Sequence, residues 1–372
     1  MKIGILTLPL HTNYGGILQA YALQAVLERM GHEVVVIDRN TCIIPSIKKK
    51  IIIYSKRFVK KYFLRKDIRI FTERYNSIIN PKIRRNTDSF IRNNIHRIII
   101  DRYPDVLKLY KFDVIVVGSD QVWRPKYFGD DIRNAYLGFI NDKVLKKIAY
   151  AVSFGVDNWE YNYRQTIQCK HLIKKFDAVS VRESSGIDFC RRYFNYSAEW
   201  VVDPTLLLSK FDYQQLLDLE TFSEKKGRLF CYLLDASKEK VDYLQIVASQ
   251  LQLSLNYMKT VTEKSDNQTE VRIQPPVEEW LGNFYEADFV VTDSFHACVF
   301  SIIFKKQFVV IANKERGNSR FESLLGKLGL ESRIVDSSIN VSKLTQIDYS
   351  KVYQIIDIWK DESLDFIRKA LK

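Results

Sequence analysis

Thr292-Asp293-Ser294-Phe295-His296 brings a carboxylate, a hydroxyl and an imidazole to one junction in the chain. Residues 287–292 before them form a short apolar run rich in Val and Phe, the pattern of a buried strand. Asp293 or Ser294 can cap the next segment, 295–304, which reads as one short apolar helix. An imidazole changes charge near neutral pH and suits general acid–base work. Ligands in open α/β sheets bind beyond the carboxyl ends of strands, and helix N-termini attract anions. His296 stands where both rules meet. The same residues equally suit a simpler arrangement, in which Asp293 only caps and His296 only packs.

The elements that must position this junction form an α/β chain. A turn at 305–307 and a strand at 308–311 complete a β-α-β unit around His296. At the other end, residues 2–8 read as a strand, 11–16 as a turn, and Ala20, Leu23, Val26 and Leu27 give the next segment an apolar helical face. Gly31 ends that helix and 33–38 is a second strand. The turn is Asn13-Tyr14-Gly15-Gly16 and not GxGxxG, so a nicotinamide cofactor is not expected. Its glycines allow tight packing, and they also lie at a strand's carboxyl end. Further apolar runs at 113–117, 147–152, 178–181 and 200–202 each give way to polar residues. In a parallel sheet these ends share one edge, which predicts Ser119, Asp120, Gln121, Ser153 and Arg182 in one crevice. Each position alone also suits a turn or a cap; the recurrence carries the reading. With Asn13, Tyr14, Gly15, Gly16, Trp123 and Asp293, they are the expected cleft and acceptor-side residues. A second α/β unit begins near 229, with strands at 229–234 and 253–258 and helices at 239–251 and 277–283. A polar loop with Lys314, Arg316 and Arg320 comes after 308–311, and 342–371 reads as helix. The expected division is a first domain over 1–215, a second over 216–345, and a helix at 346–372 packing back on the first.

The 372 residues carry a net charge of +13. The charge is concentrated: residues 42–111 hold 19 Lys+Arg against 5 Asp+Glu, a local +14 that leaves the rest near −1. This insert interleaves Lys and Arg with Ile, Phe and Tyr at helical intervals. It reads as a basic helical insert, either a solvated face or a surface for an anionic membrane. No nucleic-acid-binding motif accompanies the charge, so nucleic acid is not an expected partner. Five scattered cysteines form no CxxC pair, which fits a reduced cytoplasmic interior. No His/Cys/carboxylate cluster has metal-site spacing. The first residues lack a signal-peptide cleavage site, and no charge-free apolar run is long enough to span a bilayer.

Six segments, in order, resemble the polysaccharide pyruvyl transferase family: NYGGILQAYAL (13–23), IVVGSDQVW (115–123), AYAVSFG (149–155), VSVRESSG (179–186), VVDPTLLL (201–208) and VVTDSFHACVFSIIF (290–304). The resemblance implies two Rossmann-like domains facing across a cleft, as in GT-B glycosyltransferases. It implies transfer of pyruvate from phosphoenolpyruvate to sugar hydroxyls as a cyclic ketal, on a surface polysaccharide or its lipid-linked precursor. Phosphoenolpyruvate is then a donor substrate, and neither cofactor nor metal is called for. By position, His296 matches the family's catalytic histidine and Arg182 an arginine that binds the donor. Better-studied members carry Arg-Leu-His where this chain has Ser294-Phe295-His296. If the donor is unchanged, the missing charge must come from elsewhere. Arg320 is the first choice, with Lys314 and Arg316 as alternatives. The expected setting is cytoplasmic, with peripheral attachment to the membrane through the insert. Two other classes remain open: a GT-B-like glycosyltransferase using a nucleotide sugar, and a non-catalytic assembly protein recruited to the membrane.

Overall fold

Short runs of Val and Ile buried on both faces, such as Val114–Val117, suit parallel strands covered by helices on each side. The computed structural model describes residues 1–40, 47–129, 131–141, 144–222, 226–260, 268–312 and 318–372. The first sheet contains β1 (Lys2–Leu6), β2 (Glu33–Arg39), β3 (Arg97–Ile100), β4 (Val114–Val117), β5 (Lys146–Val152), β6 (Ala178–Val181) and β7 (Glu199–Trp200). They pair in parallel in the order β3-β2-β1-β4-β5-β6-β7. The second sheet contains β8 (Arg228–Leu233), β9 (Ser254–Lys259), β10 (Phe289–Thr292), β11 (Gln307–Ile311) and β12 (Ile334–Val335). Its parallel order is β12-β11-β10-β8-β9. These are the two common doubly wound orders, and each reverses direction once, between β1 and β4 and between β8 and β10.

Both reversals open toward the same space. Helix α1 (Tyr14–Arg29) starts there from the first sheet, and the helix Phe295–Ile303 starts there from the second. Beneath them the sheets share one apolar core that includes Tyr14, Trp280, Phe295, Phe300 and Trp359. Tyr14 stacks on Trp280 at 5.2 Å and its hydroxyl donates to the Pro275 carbonyl at 2.7 Å. The final helix, Tyr349–Leu371, bridges the two sheets. Trp359 Nε1 donates to Trp200 O and Val202 N donates to Ser363 Oγ, while Tyr353 OH donates to Ile303 O.

The basic insert corrects one expectation. Three helices, α2 (Ile47–Tyr62), α3 (Thr72–Ile83) and α4 (Arg85–Asn94), are followed by strand β3, so 42–111 is not helical throughout. β3 pairs with β2 from Val36↔Arg97 to Arg39↔Ile100 and extends the sheet by an edge. An edge strand leaves one side half-exposed, and flanking Arg and His residues hide its apolar pattern among the charges. Among the described residues no helix is long and apolar enough to cross a membrane.

Candidate active site

A cleft of about 550 Å³ lies where the strand ends meet. From the first sheet it is lined by the loop after β1, by Asn13, Gly15 and Gly16 at the start of α1, and by Asp120 and Gln121 after β4. From the second come Leu234, Asp293, Ser294, Phe295, His296 and Arg320. The β-α-β unit read from the sequence thus delivers His296 to the first turn of its helix, facing the other sheet.

Ser294 is the cap of that helix: its Oγ accepts from Ala297 N at 3.4 Å. Asp293 has a different task. Its carboxylate accepts from Leu234 N at 2.6 Å, from Asp235 N at 3.2 Å and from Lys240 Nζ at 2.6 Å. It ties the loop after β8 to the end of β10 across the switch point. His296 comes next, with its ring pressed against the backbone of Gly15. A methyl group built on Gly15 would fall 2.0 Å from Nδ1 and 2.3 Å from Cγ. The glycine is required there because the imidazole occupies the space of a side chain. The other ring nitrogen, Nε2, lies 3.6 Å from Asp203 Oδ2, just beyond hydrogen-bond distance. His296 Nε2 has no hydrogen-bond partner, and the residue is 7 % exposed.

Asp203 joins His296 to a buried ionic cluster. Arg182 Nη1 donates to Asp203 Oδ2 at 2.7 Å, with Asp120 at 3.6 Å and Glu183 at 3.7 Å from its other nitrogens. Thr205 donates its backbone N–H and its hydroxyl to Asp203 Oδ1. Burial alone would raise the Asp203 pKa, yet His296, Arg182 and Thr205 together hold it well below the usual carboxylate range. Burial would likewise lower the Arg182 pKa, but Asp203, Glu183 and Asp120 outweigh it and the net shift is upward. Asp203 is absent from the candidate residues drawn from the sequence, because Asp-Pro-Thr after an apolar run reads as a helix cap. It is that too, as cap of Pro204–Leu207.

The structure corrects several placements. Arg182 does not line the cleft; three carboxylates from separate strand ends surround it, one layer behind His296. Trp123 is buried in the outer core of the first sheet, stacked on Tyr136, with its Nε1 donating to Ala135 O. Ser119 Oγ donates to Ala151 O and Ser153 Oγ donates to Glu183 Oε1 at 2.5 Å, so both hydroxyls brace the strand ends from within. Tyr14 points down into the shared core. Asn13, Gly15, Gly16, Asp120, Gln121, Asp293, Ser294, His296 and Arg320 are brought together around the cleft. Lys314 and Arg316 lie outside the described residues.

Arg320 lies in the first turn of the helix Ser319–Lys327 and reaches the cleft from the β11 side. It shares Phe295 with Arg182: the guanidinium carbons of Arg320 and Arg182 lie 5.8 Å and 4.4 Å from the ring centre. Burial, and then the charge of Arg182, lower its pKa to about 10, which leaves it cationic at neutral pH. Lys126, in the short helix Pro125–Phe128, and His11, in the loop after β1, also line the cleft and did not stand out in the sequence, since neither belongs to a recognisable pattern. Among the described residues, no group of three or more His, Cys, Asp or Glu side chains is placed to hold a metal ion. The arrangement offers an imidazole backed by a carboxylate, a buried guanidinium beside it, and the N-termini of two helices.

Two Rossmann-like sheets with their strand ends facing across a cleft define a GT-B-like architecture. Three solved structures share it over nearly their whole length. Arabidopsis thaliana UGT89C1 complexed with UDP-L-rhamnose has a TM-score of 0.51 at 10 % identity, covering 97 % of each chain. UDP-GlcNAc 2-epimerase from Neisseria meningitidis bound to UDP-GlcNAc has 0.50 at 10 %, covering 100 % of this chain and 99 % of that one. The S. aureus MnaA–UDP structure has 0.50 at 13 %, covering 98 % and 89 %. These likenesses describe the fold alone. The family model for polysaccharide pyruvyl transferases matches residues 13–315, and the chain belongs to that family. No curated protein matches it in sequence.

Proposed function

We propose that the protein transfers pyruvate from phosphoenolpyruvate to two hydroxyls of one sugar, giving a pyruvate ketal on a surface polysaccharide or its lipid-linked precursor. The observation that carries this reading is the placement of His296 at the cleft with Asp203 behind it and Arg320 beside it. The donor bears a carboxylate and a phosphate, so its site needs a fixed cation and N–H donors. Arg320, Lys126 and the first turn of Phe295–Ile303 meet that need.

In the reaction C3 of the enol takes a proton and becomes a methyl group. C2 forms bonds to two sugar oxygens, and its bond to the phosphate oxygen breaks. One hydroxyl proton balances the proton gained at C3, and the other leaves on the phosphate. His296 is the group that moves a proton between cleft and substrate. Asp203 faces Nε2 at 3.6 Å and fixes the ring's direction. Arg182 is a positioning residue that holds Asp203. The exposed apolar and basic side chains of α2 support peripheral association with an anionic membrane surface, where such an acceptor is assembled.

The test is incubation with phosphoenolpyruvate and a panel of oligosaccharide acceptors, following phosphate release and product mass. Phosphate release that depends on acceptor, with pyruvate added to it, supports the reading. Sugar transfer from a nucleotide sugar without reaction of phosphoenolpyruvate would replace it with a glycosyltransferase.

A further inference from the structure

A second cavity, of about 750 Å³, adjoins the cleft; Pro9, His11 and Tyr127 line both. Its walls are strongly basic. Arg57 and Lys60 come from α2, Lys66 and Arg69 from the segment after it, and Arg84 from the junction of α3 and α4. Arg39 at the end of β2 and Arg272 from the second half of the chain close it. No Asp or Glu is among its described lining residues; Glu73, nearby, is bonded to Arg57 at 2.7 Å. Arg272 is buried, at 3 % exposure, and its Nε has no hydrogen-bond partner. A buried guanidinium with an unmet donor, in a concave site lined by cations, fits a multiply charged anion with several acceptor oxygens. Guanidinium forks match phosphate oxygens in pairs. The outer side of α2 and the segment after it add Ile51, Ile52, Phe58, Tyr62 and Phe63, all exposed. The elements that supply Arg57, Lys60, Lys66 and Arg69 to the cavity thus also carry an exposed apolar flank.

We infer that this cavity binds the diphosphate ester that joins the acceptor glycan to an apolar chain, with the sugar reaching into the cleft past His11 and Tyr127. This rests on the transferase reading above and adds where the acceptor is held. Diphosphate esters come from two sources, lipid carriers and nucleotides, and the apolar flank favours the lipid.

The test is calorimetric binding, without phosphoenolpyruvate, of farnesyl diphosphate, inorganic pyrophosphate and UDP, to wild type, Lys60→Gln/Arg69→Gln and Arg272→Gln. Farnesyl diphosphate is expected to bind wild type more tightly than UDP, and at least about tenfold more weakly to each variant. Binding should also weaken with salt. Unchanged binding of farnesyl diphosphate and pyrophosphate to variants that melt like wild type would overturn the site. UDP binding tighter than farnesyl diphosphate would overturn the lipid assignment. Lys60 and Arg69 are exposed, so their double variant decides the matter should Arg272→Gln fail to fold. Absent turnover with this binding intact would remove the transferase reading and leave the cavity standing. Normal turnover with charge-insensitive binding would do the reverse.

Discussion

His296 is positioned by two contacts of opposite kind: a close apolar approach on its Nδ1 side and a carboxylate 3.6 Å from Nε2. His296→Ala is expected to lower pyruvyl transfer by about 10²–10⁴-fold, the usual worth of acid–base assistance, with the thermal melt preserved. Turnover within a few-fold of wild type would remove it from the chemistry. Asp203→Asn takes away the partner of both Arg182 and His296. Breaking a buried pair from one side costs about 3–5 kcal/mol, so denaturant titration should show a large loss of stability together with lower kcat. The same carboxylate sets an acid limit. Its folded pKa lies below its ordinary value of 3.8, so the unfolded chain binds the proton more readily. That contribution is fully present above the ordinary value and is lost as pH falls toward the folded one. The variant's stability should therefore be flatter below about pH 4 than that of wild type. Arg320→Lys keeps the charge but loses the fork, and the donor's affinity should fall while the melt holds. Unchanged donor affinity in both Arg320→Lys and Arg320→Ala would take Arg320 out of the donor site.

At the scale of elements, the site depends on α1 and the helix Phe295–Ile303 meeting without a side chain between them. Gly15→Ala suits a helix by propensity, yet its new methyl would overlap the imidazole, at 2.0 Å from Nδ1. Transfer by this variant should drop toward the level of His296→Ala; wild-type kcat would contradict the close approach. The β-α-β unit carrying His296 was legible in the sequence because its two apolar runs and capped helix are local patterns. The crevice formed by Asp120, Gln121 and the α1 turn was legible for the same reason, as repeated polar strand ends. What was not legible depends on three-dimensional neighbours. Arg182 reads as a free cation at a strand end until Asp120, Glu183 and Asp203, from three other chain positions, are folded around it. Trp123, Ser119 and Ser153 sit at such ends as well, but the turns direct them inward. Strand β3 was hidden because an edge strand in a basic stretch shows no clean alternation.

The whole molecule places its chemistry between two sheets that share a core beneath the cleft, so His296 from one meets Gly15 and Asp203 from the other. The surplus positive charge lies on the insert beside this cleft and is not spread over the body. In the proposed transfer, C3 of phosphoenolpyruvate takes a proton in this cleft and C2 joins sugar oxygens. The most direct measurement is the reaction run in D₂O with phosphoenolpyruvate and an accepted glycan, the product being analysed by mass and NMR. A pyruvate ketal whose methyl group carries one deuterium, formed in step with phosphate release, is the predicted result. A product without pyruvate, or a ketal methyl without deuterium, would contradict the account.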